Sequence, residues 1–336
     1  MIYVVIIFLG LSILLYVLLG GADFGAGIVE ITTQSKMRDR IRATTYKTIG
    51  PVWEANHMWL IITIVILFVG FPKVYTMLSI HLHIPLVLML IGIIGRGTAF
   101  VFRHYDAVKD DMQRVYNLIF TYSSFVTPFF LGLIFGAAVS GRVNPTAVDY
   151  YQSFIYPWFN FFSVSVGIFT VMICGFLAAV YLVGETEENE VKSLFLKKAR
   201  LFLVLMVLAG GLVFLAAEVD ELGLAHLLLL EPITMGILFL ATIALVVLWL
   251  QLGKGKRKVS RFLSGFVVTA ILLAFGYHYF PNIILTESGE NLSVFNSAAL
   301  GKPIDSLAWA LLIGSLLILP SLFYLLFSFQ RPKVVD

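Results

Sequence analysis

The sequence has 336 residues, of which 60% are hydrophobic and 13% charged, with a net charge of +3. Soluble domains carry about 25% charged residues, so this balance excludes a soluble globular protein and defines an all-α polytopic membrane protein. The apolar runs are long and continuous, which also excludes a β-barrel with its short alternating strands.

The first apolar run covers 2–22. No Lys or Arg precedes it, so the basic segment that opens a signal peptide is missing. Gly20-Gly21-Ala22 is small enough to mimic a cleavage site, but the run is long enough to span and reads as an uncleaved helix. Asp23 follows, inside a stretch that holds Gly20, Gly21, Gly25 and Gly27. Such glycines permit close helix contact or a local break that exposes backbone to water. Close packing is the simpler reading for the glycines. Asp23 is a functional candidate, because an ionisable group at the edge of a span is costly.

A connection over 31–49 leads to Gly50-Pro51, a helix-start signal with proline expected at the first helical position. The second span, 52–71, then carries Trp53, Glu54, Asn56, His57 and Trp59 in its first turns. A carboxylate, an amide and an imidazole at the mouth of a span point to function. The structural alternative is anchoring by two tryptophans, with Glu54 favoured by the positive end of the helix dipole. The third span, 78–102, ends in Gly92, Gly95, Arg96, Gly97 and Phe100. Arg96 and Arg103 are seven residues apart and share a helix face. Arg96 pairs with Glu54 or Asp23, or snorkels to the interface.

Further spans are expected at 115–139, 155–183, 200–217, 225–251, 262–281 and 306–329, each near or above the roughly 20 residues a span needs. The single cysteine, Cys174, lies in an apolar run and reads as a small buried hydrophobe. The acidic cluster Glu185, Glu187, Glu188 and Glu190 reads as a solvated turn. Glu218, Asp220 and Glu221 have no nearby base and read as loop. Residues 282–305 form a polar surface loop, and the basic connection from Lys254 to Arg261 suits anionic lipid headgroups. The connections are too short for a soluble domain, so 1–336 is one integral membrane domain.

Lys and Arg alternate between connections. The first holds Lys36, Arg38, Arg40, Arg42 and Lys47, and the second only Lys73. The third holds Arg103, Lys109 and Arg114, and the fourth only Arg142. The fifth holds Lys192, Lys197, Lys198 and Arg200, and the sixth none; the seventh is again basic, the eighth has only Lys302, and the tail carries Arg331 and Lys333. The positive-inside rule puts the N-terminus outside and the C-terminus in the cytoplasm. Asp23 and Glu54 then lie on the cytoplasmic side of consecutive helices, where two carboxylates make a candidate entrance to a proton route. The six histidines, His57, His81, His83, His104, His226 and His278, are scattered and mostly interfacial. No two share a mid-span helix at a spacing that suggests paired haems, so no metal ligation by this chain is expected.

Three blocks carry a resemblance. Gly-Ala-Asp-Phe-Gly-Ala-Gly at 21–27, Gly-Pro-Val-Trp-Glu-Ala-Asn-His-Met-Trp-Leu-Ile at 50–61 and Arg-Gly-Thr-Ala-Phe-Val-Phe-Arg at 96–103 resemble subunit II of the cytochrome bd quinol oxidases. Their order and spacing, and the span count, agree over essentially the whole chain. The resemblance implies two four-helix bundles plus a peripheral helix. It implies a partner in a prokaryotic cell membrane, subunit I, that holds haems b and d and the quinol site, with quinol and dioxygen as substrates of the complex. This chain would bind no haem and no nucleic acid, would contact membrane lipids, and would shape proton or oxygen access. Asp23 matches the acid of the glycine-rich motif, and Glu54 the acid that is often Asp in the family. Val101 departs, because many relatives hold an acid there; Asp106, Asp110 and Asp111 would substitute only by a different path. Two other classes compete: a stand-alone transporter using Asp23 and Glu54, which fits poorly because transporter sites lie near the midplane, and a haem-binding electron carrier.

Overall fold

The computed structural model describes residues 1–105, 112–186, 188–254 and 256–330. Among the described residues, nine helical segments are long and apolar enough to cross a membrane, in the order expected. The first is built from α1 (Ile2–Leu15), a π-helical turn (Tyr16–Gly20) and α2 (Gly21–Ile31). It runs through the glycine-rich block without a break and ends at Ile31 rather than near 22.

The expected connection at 31–49 is a helix, α3 (Ser35–Ile49). Its Ile41, Thr45 and Ile49 recur every four residues and are buried, while most of its cations face outward. That apolar stripe is what docks a helix of otherwise polar composition. Gly50, Pro51 and Val52 form a turn, and α4 (Trp53–Gly70) begins after it. Pro51 is therefore a turn residue and not the first helical residue.

The third expected span is divided into α5 (Pro72–His81) and α6 (His83–Tyr105). The chain breaks at Leu82, where φ is −114° and ψ 23°. Pro85 lacks the N–H that would have bonded the His81 carbonyl, which explains the break. Then follow α7 (Met112–Val139), α8 (Tyr150–Phe154), α9 (Phe161–Leu182), α10 (Asn189–Val219), α11 (Leu224–Leu229), α12 (Pro232–Leu252) and α13 (Arg257–Tyr279). The loop after α13 is not wholly polar surface. It holds a short antiparallel ribbon, β1 (Asn282–Ile284) and β2 (Leu292–Ser293), with Ile284 and Val294 buried. The last helix is α14 (Lys302–Gln330).

The helices form two four-span bundles. The first contains α1–α2, α4, α6 and α7; the second contains α9, α10, α12 and α13. α2 and α7 pack against α9, which joins the halves, and α14 lies outside against α1 and α4. Cys174 on α9 is a free, buried thiol in the main core cluster, as its apolar run implies. The acidic turn before α10 is not merely solvated: Glu188 and Glu190 bond Arg40 of α3, and Glu185 bonds Arg257 and Arg261 of α13. Asp220 also has a base after all. Arg142 lies 2.9 Å from it, and its other oxygen accepts from the Phe162 N–H at 2.9 Å.

Candidate functional site

The site grows from four charged residues on two helices. Asp23 and Glu30 are seven residues apart on α2, and Arg96 and Arg103 are seven apart on α6, so each pair lines one helix face. The structure joins them rung to rung. Arg96 Nη2 donates to Asp23 Oδ1 at 2.7 Å and to the Asp23 carbonyl at 2.9 Å, and Nη1 donates to Oδ2 at 3.0 Å. Arg96 Nε donates to Ser124 Oγ of α7 at 3.2 Å. Its guanidinium also lies 5.1 Å from the ring centroids of both Phe24 and Phe120. Arg96 and Asp23 are each 1% exposed. Arg96 thus points into the bundle and pairs with Asp23; it neither snorkels nor reaches Glu54.

The second rung is Glu30, which the sequence reading did not single out. Arg103 Nη1 donates to its Oε2 at 3.1 Å, and Arg42 Nε of α3 donates to Oε1 at 2.6 Å. The Arg103 guanidinium lies 4.5 Å from the Phe120 ring centroid, so Phe120 contacts both guanidinium groups. Close approach of α2 to α9 and α7 depends on glycine. A Cβ on Gly25 would fall 1.8 Å from the Cys174 carbonyl oxygen, and one on Gly27 would fall 2.2 Å from Ser124 Oγ. Gly21 faces Cys174 Sγ in ordinary contact. Close packing, not a break, is the use of these glycines.

α4 closes the site. His57 Nε2 lies 3.7 Å from Asp23 Oδ2, and its ring packs among Phe24, Tyr16 and Trp53. Trp53 in turn contacts Phe100, which also meets Tyr46 and Phe120. Asn56 and Trp59 are buried, and Trp59 joins the cluster of Tyr16 and Phe24. Glu54 is exposed, with no ion pair or hydrogen bond among the described residues. The site therefore unites Asp23, His57, Arg96, Trp53, Phe100 and Arg103 and leaves Glu54 at its rim.

Val101 is exposed on α6. Asp106, Asp110, Asp111, Glu187, Arg331 and Lys333, and the His104 side chain, lie outside the described residues. The other histidines stand apart: His81 Nδ1 is 2.9 Å from the Ser153 carbonyl, His278 Nδ1 is 3.7 Å from Glu231, and His83 and His226 have no part in the cluster. Among the described residues no three His, Cys, Asp or Glu side chains converge as metal ligands.

A charged column inside an apolar bundle is expensive unless its members pair. Here each buried acid is paired with guanidinium groups, Asp23 with Arg96 and Glu30 with Arg42 and Arg103. Fold and site together define a polytopic helical membrane protein of two four-span bundles, with an ion-paired polar column in the first.

The chain belongs to the family of cytochrome bd terminal oxidase subunit II, whose sequence model matches residues 1–329. It is 29% identical over 174 residues to the cytochrome bd ubiquinol oxidase subunit 2 of Bacillus subtilis (strain 168), covering 52% of this chain and 48% of that one. It is 27% identical over 176 residues to the cytochrome bd-I ubiquinol oxidase subunit 2 of Escherichia coli (strain K12), covering 52% and 43%. These matches span about half the length of those relatives or less. A solved bd oxidase structure from Geobacillus thermodenitrificans has a chain of the same fold, with a TM-score of 0.76 at 20% identity, covering 98% of this chain and 100% of that one.

Proposed function

We propose that this chain is the haem-free subunit of a bd-type quinol:oxygen oxidoreductase in a prokaryotic cell membrane. A partner, subunit I, holds haems b and d, oxidises quinol and reduces dioxygen to water. The observation that carries this reading is the family match over 1–329, nearly the whole chain. The transporter alternative has no support of that kind. It also fits Asp23 poorly, because both Asp23 oxygens are held by Arg96.

The basic connections face the cytoplasm, with the N-terminus outside, on the positive-inside rule. The end of the polar column that holds Glu30, Arg42 and Arg103 then opens toward the cytoplasm, which supplies the protons that dioxygen reduction consumes. Glu54 and Asp23 divide the work. Glu54 is exposed and uncommitted, so it can take up and release a proton without breaking an ion pair. Asp23 fixes α2 to α6 through its bonds to Arg96.

The test is quinol-driven oxygen consumption per haem in the purified complex, with Glu54→Gln beside wild type. The amide keeps the size of the acid but cannot exchange a proton usefully. Turnover per haem should fall while haem content per protein stays constant. Glu54→Asp should be milder. Normal turnover in Glu54→Gln removes Glu54 from any essential proton route.

A further inference from the structure

The polar column does not stop at Asp23. Three buried side-chain atoms around it have no hydrogen-bond partner among the described residues: Tyr16 Oη, His57 Nδ1 and Trp59 Nε1. Tyr16 is 3% exposed and Trp59 4%, and orphan polar atoms are rare in a native interior. In a membrane they cannot borrow bulk water. The rings of Tyr16 and His57 are 6.0 Å apart, and Tyr16, Phe24 and Trp59 form one cluster.

The backbone is shaped for this arrangement. Tyr16 opens the π-helical turn, a feature that recurs at functional sites. A Cβ on Gly20 would fall 2.9 Å from the Tyr16 ring, so glycine there lets the ring lie back along the helix. One turn further along α1, Ser12 is 1% exposed and accepts from Thr63 Oγ1 of α4 at 2.8 Å. Ser12 and Asp23 are eleven residues apart, roughly 16 Å along the helix axis. The polar groups between them on α1 and α4 are Tyr16, His57 and Trp59.

We infer that Tyr16, His57 and Trp59 bind ordered water and form, with the Ser12–Thr63 pair and beside the fixed Asp23–Arg96 pair, a hydrated file that carries protons from the basic end of the bundle toward mid-membrane. The proton-carrying part rests on the oxidase reading above. A neutral imidazole accepts at one nitrogen and donates from the other. A proton that His57 takes from one water at one ring nitrogen is matched by one released from the other nitrogen to the next water, while Asp23, held by Arg96, lies 3.7 Å from Nε2 and orients the ring. Tyr16 Oη accepts from one water and donates to the next, so no net charge is left behind. Val101 stands where many relatives are expected to hold an acid, and this file does not pass through it.

Two measurements test the inference on the assembled complex. The first is a map of the wild-type complex at a resolution that shows water. Density within hydrogen-bond distance of Tyr16 Oη and His57 Nδ1 is expected; clear density for the side chains with none for water overturns the inference. The second compares Tyr16→Phe with wild type for thermal stability and for oxygen consumption per haem. Loss of a water-bonded hydroxyl should lower or leave stability and slow turnover by about tenfold or more. If the hydroxyl is truly unsatisfied, removing it raises stability and leaves turnover unchanged, which also overturns the inference. A wild-type preparation without a haem-bearing partner would instead refute the oxidase reading, and the water density remains decidable in that preparation.

Discussion

Arg96→Met removes the guanidinium that neutralises Asp23. Arg96 is 1% exposed and makes four hydrogen bonds, three of them to Asp23, while the nearest other base, His57, is 3.7 Å away. Breaking a buried pair from one side costs about 3–5 kcal/mol, because the remaining charge is left unpaired. Asp23→Asn breaks the same pair from the other side and should cost about as much. If the two residues acted independently, the double variant Asp23→Asn/Arg96→Met would cost about 6–10 kcal/mol. The ion-pair account expects it to cost little more than either single change, a coupling of about 3 kcal/mol, because the double variant carries neither charge. The assay is the unfolding free energy of the purified protein, from denaturant titration in mixed micelles. Additive losses, with coupling below about 0.5 kcal/mol, would refute the claim that this pair is the tie between α2 and α6.

Gly25→Ala should destabilise by about 1–3 kcal/mol, the usual cost of overpacking, because its Cβ meets the Cys174 carbonyl oxygen at 1.8 Å and Ala178 Cβ at 2.7 Å. Gly211→Ala, with nothing within 4 Å, should be neutral or stabilise α10 by up to about 1 kcal/mol; equal effects at the two sites in the same titration would contradict the packing argument. For orientation, an alkaline phosphatase fused after Arg331 should be inactive, and activity there would overturn the placing of the C-terminus in the cytoplasm.

The nine spans were legible because about 20 apolar residues in a row have one use in a folded chain. Details that depend on tertiary contact were not. α3 reads as a charged loop until Ile41, Thr45 and Ile49 are seen to dock. Asp23 and Arg96 stood out singly, but nothing local says which acid an arginine meets across a bundle. Glu30 was missed because it falls beyond the expected end of the first span. Yet the signal existed: its seven-residue spacing from Asp23 repeats that of Arg103 from Arg96. Glu54 drew attention as the acid beside two tryptophans, and the structure turns it outward. The phase of α4 is set by the buried Asn56, Trp59, Ile66 and Gly70. Hydropathy cannot show that phase, because lipid-facing and packed residues of a span are equally apolar.

The central claim is that this chain works without haem of its own beside a haem-bearing subunit. It is tested most directly by the absorbance spectrum of the chain purified after expression alone and after expression with a cytochrome bd subunit I. The account predicts no haem absorbance in the first preparation, and haem absorbance with quinol-driven oxygen consumption in the second. Stoichiometric haem retained by the chain alone would contradict it.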